Sequence, residues 1–182
     1  MPRLSASLLR RAKKVKLLLM DVDGVLTDGK IYYLPGPGGK IVESKTFHSR
    51  DGAGIRLAHL GGIETGIITG RKSRIVSHRA QELGIRYLHQ GAGTKGTSLD
   101  QILKASQLQA DQVCFVGDDV VDLPVLRRVG LAIAVANCDQ ALHLQVHYVT
   151  SAAGGAGAIR ETVELILSSQ NLLKTIIERI AS

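Results

Sequence analysis

The sequence predicts an α/β protein in which a mostly parallel sheet lies between two layers of helices, with a β-hairpin inserted after the first strand. Three observations lead there. Apolar runs of strand length alternate with segments of helical period from Val15 to Leu167, as in a sheet whose parallel strands are joined by helical crossovers. The first run, Val15–Met20, is apolar throughout rather than alternating, as expected of a strand covered on both faces. Finally, such runs end in polar, glycine-containing segments, namely Asp21-Val22-Asp23-Gly24, Thr69-Gly70-Arg71 and Gly117-Asp118-Asp119. The carboxyl ends of strands are where an open α/β sheet collects its ligand. A chain of 182 residues with 45% hydrophobic content suits one core, hence a single domain over 1–182.

The first 16 residues carry Arg3, Arg10, Arg11, Lys13, Lys14 and Lys16 and no acid. They read as a basic helix packing Leu4, Leu8 and Ala12 on the core rather than as a transit peptide. The strand Val15–Met20 stops at Asp21 and Asp23, and Gly24 lets the chain curl so that both acids converge. A plain strand-ending turn would use the same residue types. Converging carboxylates repel, however, so the pair calls for a cation, and hard oxygen ligands suit Mg²⁺.

Residues 29–49 hold two strand-like runs, Ile31–Leu34 and Lys40–Phe47, around Pro35-Gly36-Pro37-Gly38-Gly39. This is a hairpin with a long tip. A two-stranded hairpin is marginal alone, so it is expected to join subunits. Asp51 then precedes a helix ended by Gly61-Gly62. The strand Ile63–Ile68 runs into Thr69-Gly70-Arg71-Lys72-Ser73, followed by a helix through Leu83.

After the strand Ile85–His89, Gly91–Gly96 spells G-x-G-x-x-G ahead of a helix at Thr97–Ser106, with Asp111 downstream. A dinucleotide loop is the competing reading. It is rejected because the loop does not follow the first strand, and because Asp111 precedes the strand Val113–Val116 instead of ending one. Lys95 before the final glycine likewise fails the phosphate-loop pattern that puts lysine after it.

Val113–Val116 ends in Gly117-Asp118-Asp119 with Asp122 close behind, more acid than a helix start requires. Asp118 is therefore a candidate metal ligand. Leu131–Val135 is a further strand, Asn137–Leu144 a short helix and Val146–Val149 an edge strand. His143 and His147 are read as packing or surface residues, because the second falls in a strand-like stretch. Gly154-Gly155-Ala156-Gly157 leads into a helix through Leu167, and Asn171–Ile180 repeats the helical period. Those glycines suit either a linker or a loop in close approach to ligand.

A net charge of +7 and a pI near 9.6 suit nucleic acid, anionic lipid or small acidic substrates. Aromatic content of 3% and no tryptophan leave no base-stacking platform, so nucleic acid is set aside. No run of about 18 or more apolar residues predicts a membrane span. Cys114 and Cys138 form neither a disulfide framework nor a metal motif, which points to a reducing, cytoplasmic setting. A small anionic phosphorylated substrate is the partner expected.

The stretch Asp21-Val22-Asp23-Gly24-Val25-Leu26-Thr27-Asp28 resembles the D-x-D-G-[VT]-L-[TV]-D signature of the haloacid dehalogenase-like phosphatases, and Thr69, Lys95 and Gly117-Asp118-Asp119 with Asp122 follow in that family's order. The resemblance implies a Rossmann-like fold and phosphomonoester hydrolysis with Mg²⁺. It makes Asp21 the nucleophile and Asp23 the general acid/base, with Thr69 and Lys95 holding the transferring phosphoryl group. Asp21, Asp23 through its backbone carbonyl and Asp118 would hold the metal, backed by Asp119 and Asp122.

Phe47-His48-Ser49-Arg50-Asp51-Gly52-Ala53-Gly54-Ile55, Thr69-Gly70-Arg71-Lys72-Ser73 and Gly154-Gly155-Ala156-Gly157-Ala158-Ile159-Arg160-Glu161 resemble one subgroup, the 3-deoxy-D-manno-octulosonate 8-phosphate phosphatases of lipopolysaccharide biosynthesis. That subgroup has no cap domain; hairpins of four subunits form a barrel, and each site is covered by a neighbour, so a homotetramer is expected. Thr69, Gly70, Arg71, Ser73, Lys95 and Arg160 would bind substrate. Many octulosonate-specific members carry a basic residue where this chain has Ala156. A phosphatase for a nine-carbon sugar-acid 9-phosphate and a catalytically idle oligomeric binding module are the alternatives.

Overall fold

A computed structural model describes residues 4–182; Arg3 lies outside the described residues. Six strands form one sheet: β1 (Leu17–Met20), β4 (Glu64–Thr69), β5 (Tyr87–Gln90), β6 (Val113–Gly117), β7 (Leu131–Ala134) and β8 (Tyr148–Val149). They lie in the order β5-β4-β1-β6-β7-β8, and every pairing is parallel. The chain builds outward from β1 through β4 to β5, then returns to the other flank of β1 for β6. The strand order thus reverses around β1, the position at which such sheets open a crevice.

Successive residues of β1 serve opposite cores, because side chains on a strand alternate. Leu18 and Met20 join Leu8, Ala12, Ile55, Val76, Ile159 and Val163, whereas Leu17 and Leu19 join Leu99, Ile102, Val125 and Leu126. The first set brings α1 (Ala6–Lys13), α2 (Ser49–Leu60), α3 (Arg74–Glu82) and α6 (Ala158–Ser169) onto one face; the second brings α4 (Lys95–Ser106) and α5 (Leu123–Leu126) onto the other. All four residues of β1 are fully buried, as a strand covered on both sides must be. The C-terminal α7 (Leu173–Ala181) touches the first core through Ile176.

The hairpin is present as β2 (Tyr32–Pro35) and β3 (Ile41–Ser44), an antiparallel pair outside the main sheet. Tyr33 (62%), Leu34 (50%) and Ile41 (74%) stand exposed on it.

Several local expectations shift. Leu4 is exposed because Ser5 caps α1 through the Leu8 N–H at 3.1 Å, which leaves Leu4 outside the first turn. Asn137–Leu144 is not a helix but holds one short 3-10 turn at Gln140–Leu142. Only Leu142 there is buried, and Leu144 is 95% exposed, so no apolar stripe exists to dock a helix. Asp51 lies inside the first turn of α2, and its buried carboxylate accepts from Gly157 N (3.2 Å) and Arg160 N (2.9 Å), serving the start of α6 rather than its own helix. His147 Nδ1 accepts from Ala132 N at 2.9 Å, a packing role as expected.

The Gly154–Gly157 loop lies against backbone rather than serving as a linker. Gly155 N donates to Val25 O at 2.9 Å, and a Cβ on Gly154 would run into the carbonyl oxygen of Gly24. The loop therefore braces the turn that carries Asp23.

Candidate active site

The carboxyl ends of β1, β4 and β6, the three central strands, converge on a cavity of about 470 Å³. Asp21, Asp23, Thr69, Gly70, Arg71, Lys95, Asp118 and Asp119 line it, so the sequence-predicted residues largely meet in one place. A larger cleft of about 920 Å³ lies at the opposite ends of the strands between Lys14, Glu64 and Asp111. Its Lys14–Asp111 pair is exposed and, among the described residues, no cluster of three carboxylates faces it, so the smaller cavity is the candidate site.

Asp21 is 6% exposed, and both of its oxygens are held: Oδ1 accepts from Val22 N at 2.6 Å and Oδ2 lies 2.6 Å from Lys95 Nζ. Burial pushes its carboxyl up to about 6, and Lys95 pulls against that. Lys95, in the first turn of α4, is itself buried; burial opposes its charge, but Asp21 and Asp122 more than compensate and hold it above the usual lysine range.

Asp122 is fully buried with both oxygens committed. Oδ1 is 2.6 Å from Lys95 Nζ, and Oδ2 accepts from Asp118 N (2.9 Å) and Asp119 N (3.4 Å). It stands behind the site, fixing Lys95 and the Asp118 turn. Asp119 caps the following turn through Val120 N at 2.6 Å. Asp118 differs: among the described residues no donor bonds its carboxylate, and burial with the charges of Asp21 and Asp122 pushes it up to about 7.

Carboxylate oxygens of Asp21, Asp118 and Asp122 lie within 4.8 Å of one another. An unbonded carboxylate facing Asp21 in so crowded a group suits a hard divalent cation. Asp21 and Asp118, which line the cavity, would hold Mg²⁺, whereas Asp122 lies behind it, outside the lining. Gly24 (φ +86°) permits this arrangement, since the Asp118 carboxylate occupies the space a Cβ would fill.

Two expected substrate residues lie elsewhere in the single chain. Arg160 Nε pairs with Glu164 at 2.6 Å along α6, away from the cavity lining. Ser73 immediately precedes α3; its N–H donates to Gln90 Oε1 at 2.7 Å, and its buried hydroxyl faces Glu43, whose carboxyl it helps to hold low, rather than the cavity. Reasoning from sequence missed Glu43 and Lys45, whose charges reach Asp23 and Arg71 from the hairpin. Glu43 lies in β3 and Lys45 just past its end, and no pattern in the sequence marks either, because their partners are distant along the chain.

Comparison with known proteins gives a concordant result. The family model described as haloacid dehalogenase-like hydrolase matches residues 39–130. The 3-deoxy-D-manno-octulosonate 8-phosphate phosphatase of Escherichia coli K12 is 44% identical over 169 residues, 93% of this chain and 88% of the relative. Among solved structures, the Yersinia pestis phosphatase of the same name superposes with a TM-score of 0.88 at 43% identity, covering 93% of this chain and 89% of that one. The Moraxella catarrhalis phosphatase, solved in complex with magnesium ion, phosphate ion and KDO, gives 0.89 at 39% identity, covering 95% and 97%.

Proposed function

The chain belongs to the haloacid dehalogenase-like hydrolases and, within them, to the 3-deoxy-D-manno-octulosonate 8-phosphate phosphatase family, and we propose that its cavity residues carry that reaction. The enzyme is a phosphoric monoester hydrolase that converts 3-deoxy-D-manno-octulosonate 8-phosphate to 3-deoxy-D-manno-octulosonate and phosphate with Mg²⁺ as cofactor. The observation that carries the residue assignment is the buried Asp21 carboxylate, fixed by Lys95 and Val22 N at the mouth of β1 beside the unbonded Asp118.

Asp21 attacks phosphorus as the bond to the sugar oxygen breaks, and Asp23 donates a proton to that oxygen. Water then attacks the aspartyl-phosphate, Asp23 takes the proton, and Asp21 is regenerated. Lys95 fixes the nucleophile and offsets charge. Thr69 and Gly70, at the end of β4, present donors to the phosphoryl oxygens, and Arg71 meets the anionic sugar acid. Bound Mg²⁺ supplies charge neutralisation that lets an anionic nucleophile meet an anionic substrate.

The exposed apolar hairpin supports a homotetramer in which a neighbour covers each site. The free cysteines Cys114 and Cys138 and a phosphorylated sugar-acid substrate suit the cytoplasm. The nine-carbon sugar-acid phosphatase and the idle binding module are not favoured by the relatives. Phosphate release from a panel of sugar-acid phosphates tests the reading: turnover with Mg²⁺ should be highest on the eight-carbon acid. No release from any phosphomonoester would overturn it.

A further inference from the structure

Lys45 carries a buried charge that the reaction above leaves without a task. Its side chain is 0% exposed, so it cannot meet substrate, and a buried ammonium persists only where carboxylates pair with it. It has two. Nζ pairs with Asp23 Oδ1 and lies 3.7 Å from Glu43 Oε1. Glu43 Oε2 lies 3.3 Å from Arg71, whose Nε is 3.8 Å from Asp23 Oδ2. Two cations and two carboxylates therefore close a ring through Asp23. The members are unequal, however: Arg71 is 45% exposed and lines the cavity, whereas Lys45 is sealed beneath it.

We propose that Lys45 is a positioning residue for the phosphatase reaction, anchoring Asp23 from the hairpin of the same chain so that its carboxyl is aimed at the leaving oxygen while Arg71 is released to the substrate. The inference rests on Asp23 being the acid/base. Asp23 sits on a turn with a rotatable carboxyl, and the proton it passes must travel along one direction. A displacement of about 1 Å in such a group costs on the order of a hundredfold in rate. The hairpin thus acts within its own subunit, independently of whatever it does between subunits.

The test separates substrates by whether their leaving group needs a proton. Because kcat/KM reports steps up to the first irreversible one, it isolates leaving-group departure. Lys45→Met should lower kcat/KM on a sugar-acid phosphate by about a hundredfold, but on p-nitrophenyl phosphate, whose phenolate leaves unprotonated, by less than about threefold. In an Asp23→Asn background the same substitution should cost less than about twofold, because its partner is already disabled. Equal losses on both substrates, no loss on the sugar acid, or full additivity in the double variant would overturn the proposal. If Lys45→Met melts below the assay temperature, Lys45→Arg makes the same comparison, since it keeps the charge but moves its position. Wild-type turnover of the sugar-acid phosphate is measured alongside. Its absence would defeat the functional reading, whereas its presence with undiscriminating variants would defeat only the role of Lys45.

Discussion

Asp21 must be an anion in a place that disfavours anions: burial pushes its carboxyl to about 6, and Lys95 at 2.6 Å is the counterweight. Asp21→Asn should therefore abolish phosphate release without unfolding the chain, since an amide of the same shape still fills the pocket but is a poor nucleophile. Phosphate assay beside a thermal melt checks this, and release near the wild-type rate would refute the assignment. Asp23→Asn should reduce turnover of the sugar-acid phosphate by about 10² to 10⁴-fold, the usual range for lost acid/base help. An unchanged rate on that poor leaving group would count against Asp23. At this scale the sequence was informative where chemistry demands a residue type at a strand end, as at Asp21, Asp118 and Thr69. It was silent at Lys45 and Glu43, because their partners lie across the fold and a lysine in an exposed hairpin looks like any other until Asp23 is placed above it.

Among the elements, strands were legible because burial on both faces leaves an apolar run, and β1, β6 and β7 show it with every residue buried. The turn at Gln140–Leu142 was not, because Asn137–Leu144 has helix-compatible residues but only Leu142 fully buried, with Cys138 partly packed and Leu144 exposed. The Gly154–Gly157 loop was ambiguous for a related reason. Its glycines answer to the backbone of Gly24 and Thr27, which are distant in sequence. The hairpin yields a prediction of its own. Ile41 and Val42 are 74% and 46% exposed on β3, more apolar surface than an isolated ribbon keeps in water. Ile41→Glu with Val42→Lys, which leaves Lys45 in place, should reduce the solution mass to the 19.5 kDa of one chain and lower selectivity for the sugar acid. Light scattering alongside kcat/KM decides it: an unchanged mass above that of a monomer would show that the hairpin face does not hold subunits together.

Across the whole molecule, a sheet that reverses around β1 gathers its acids at one end, and that concentration opposes folding when no cation is present. The carboxyls of Asp21 and Asp118 are raised to about 6 and about 7, chiefly by burial. Both therefore hold protons in the folded chain at pH values where the unfolded chain has released them. The unfolded state binds fewer protons, so stability contributed by these groups is present at low pH and is lost as pH rises through the folded values. Mg²⁺ and protons compete for the same oxygens, so the metal should restore what the pH rise removes. In chelator, Tm should fall between about pH 5 and pH 8. Excess Mg²⁺ should raise Tm strongly at pH 8 and little at pH 5. At a hundredfold excess over Kd the gain is about 2.7 kcal/mol, or roughly 5 to 10 °C for a chain of this size. Ca²⁺ accepts looser and higher coordination than phosphoryl transfer at a near-octahedral site permits, so it should stabilise the fold yet support turnover poorly. Calorimetric melts at the two pH values with chelator, Mg²⁺ or Ca²⁺ read this directly. A Mg²⁺ shift of equal size at pH 5 and pH 8 would mean that the metal does not sit on the carboxylates of Asp21 and Asp118.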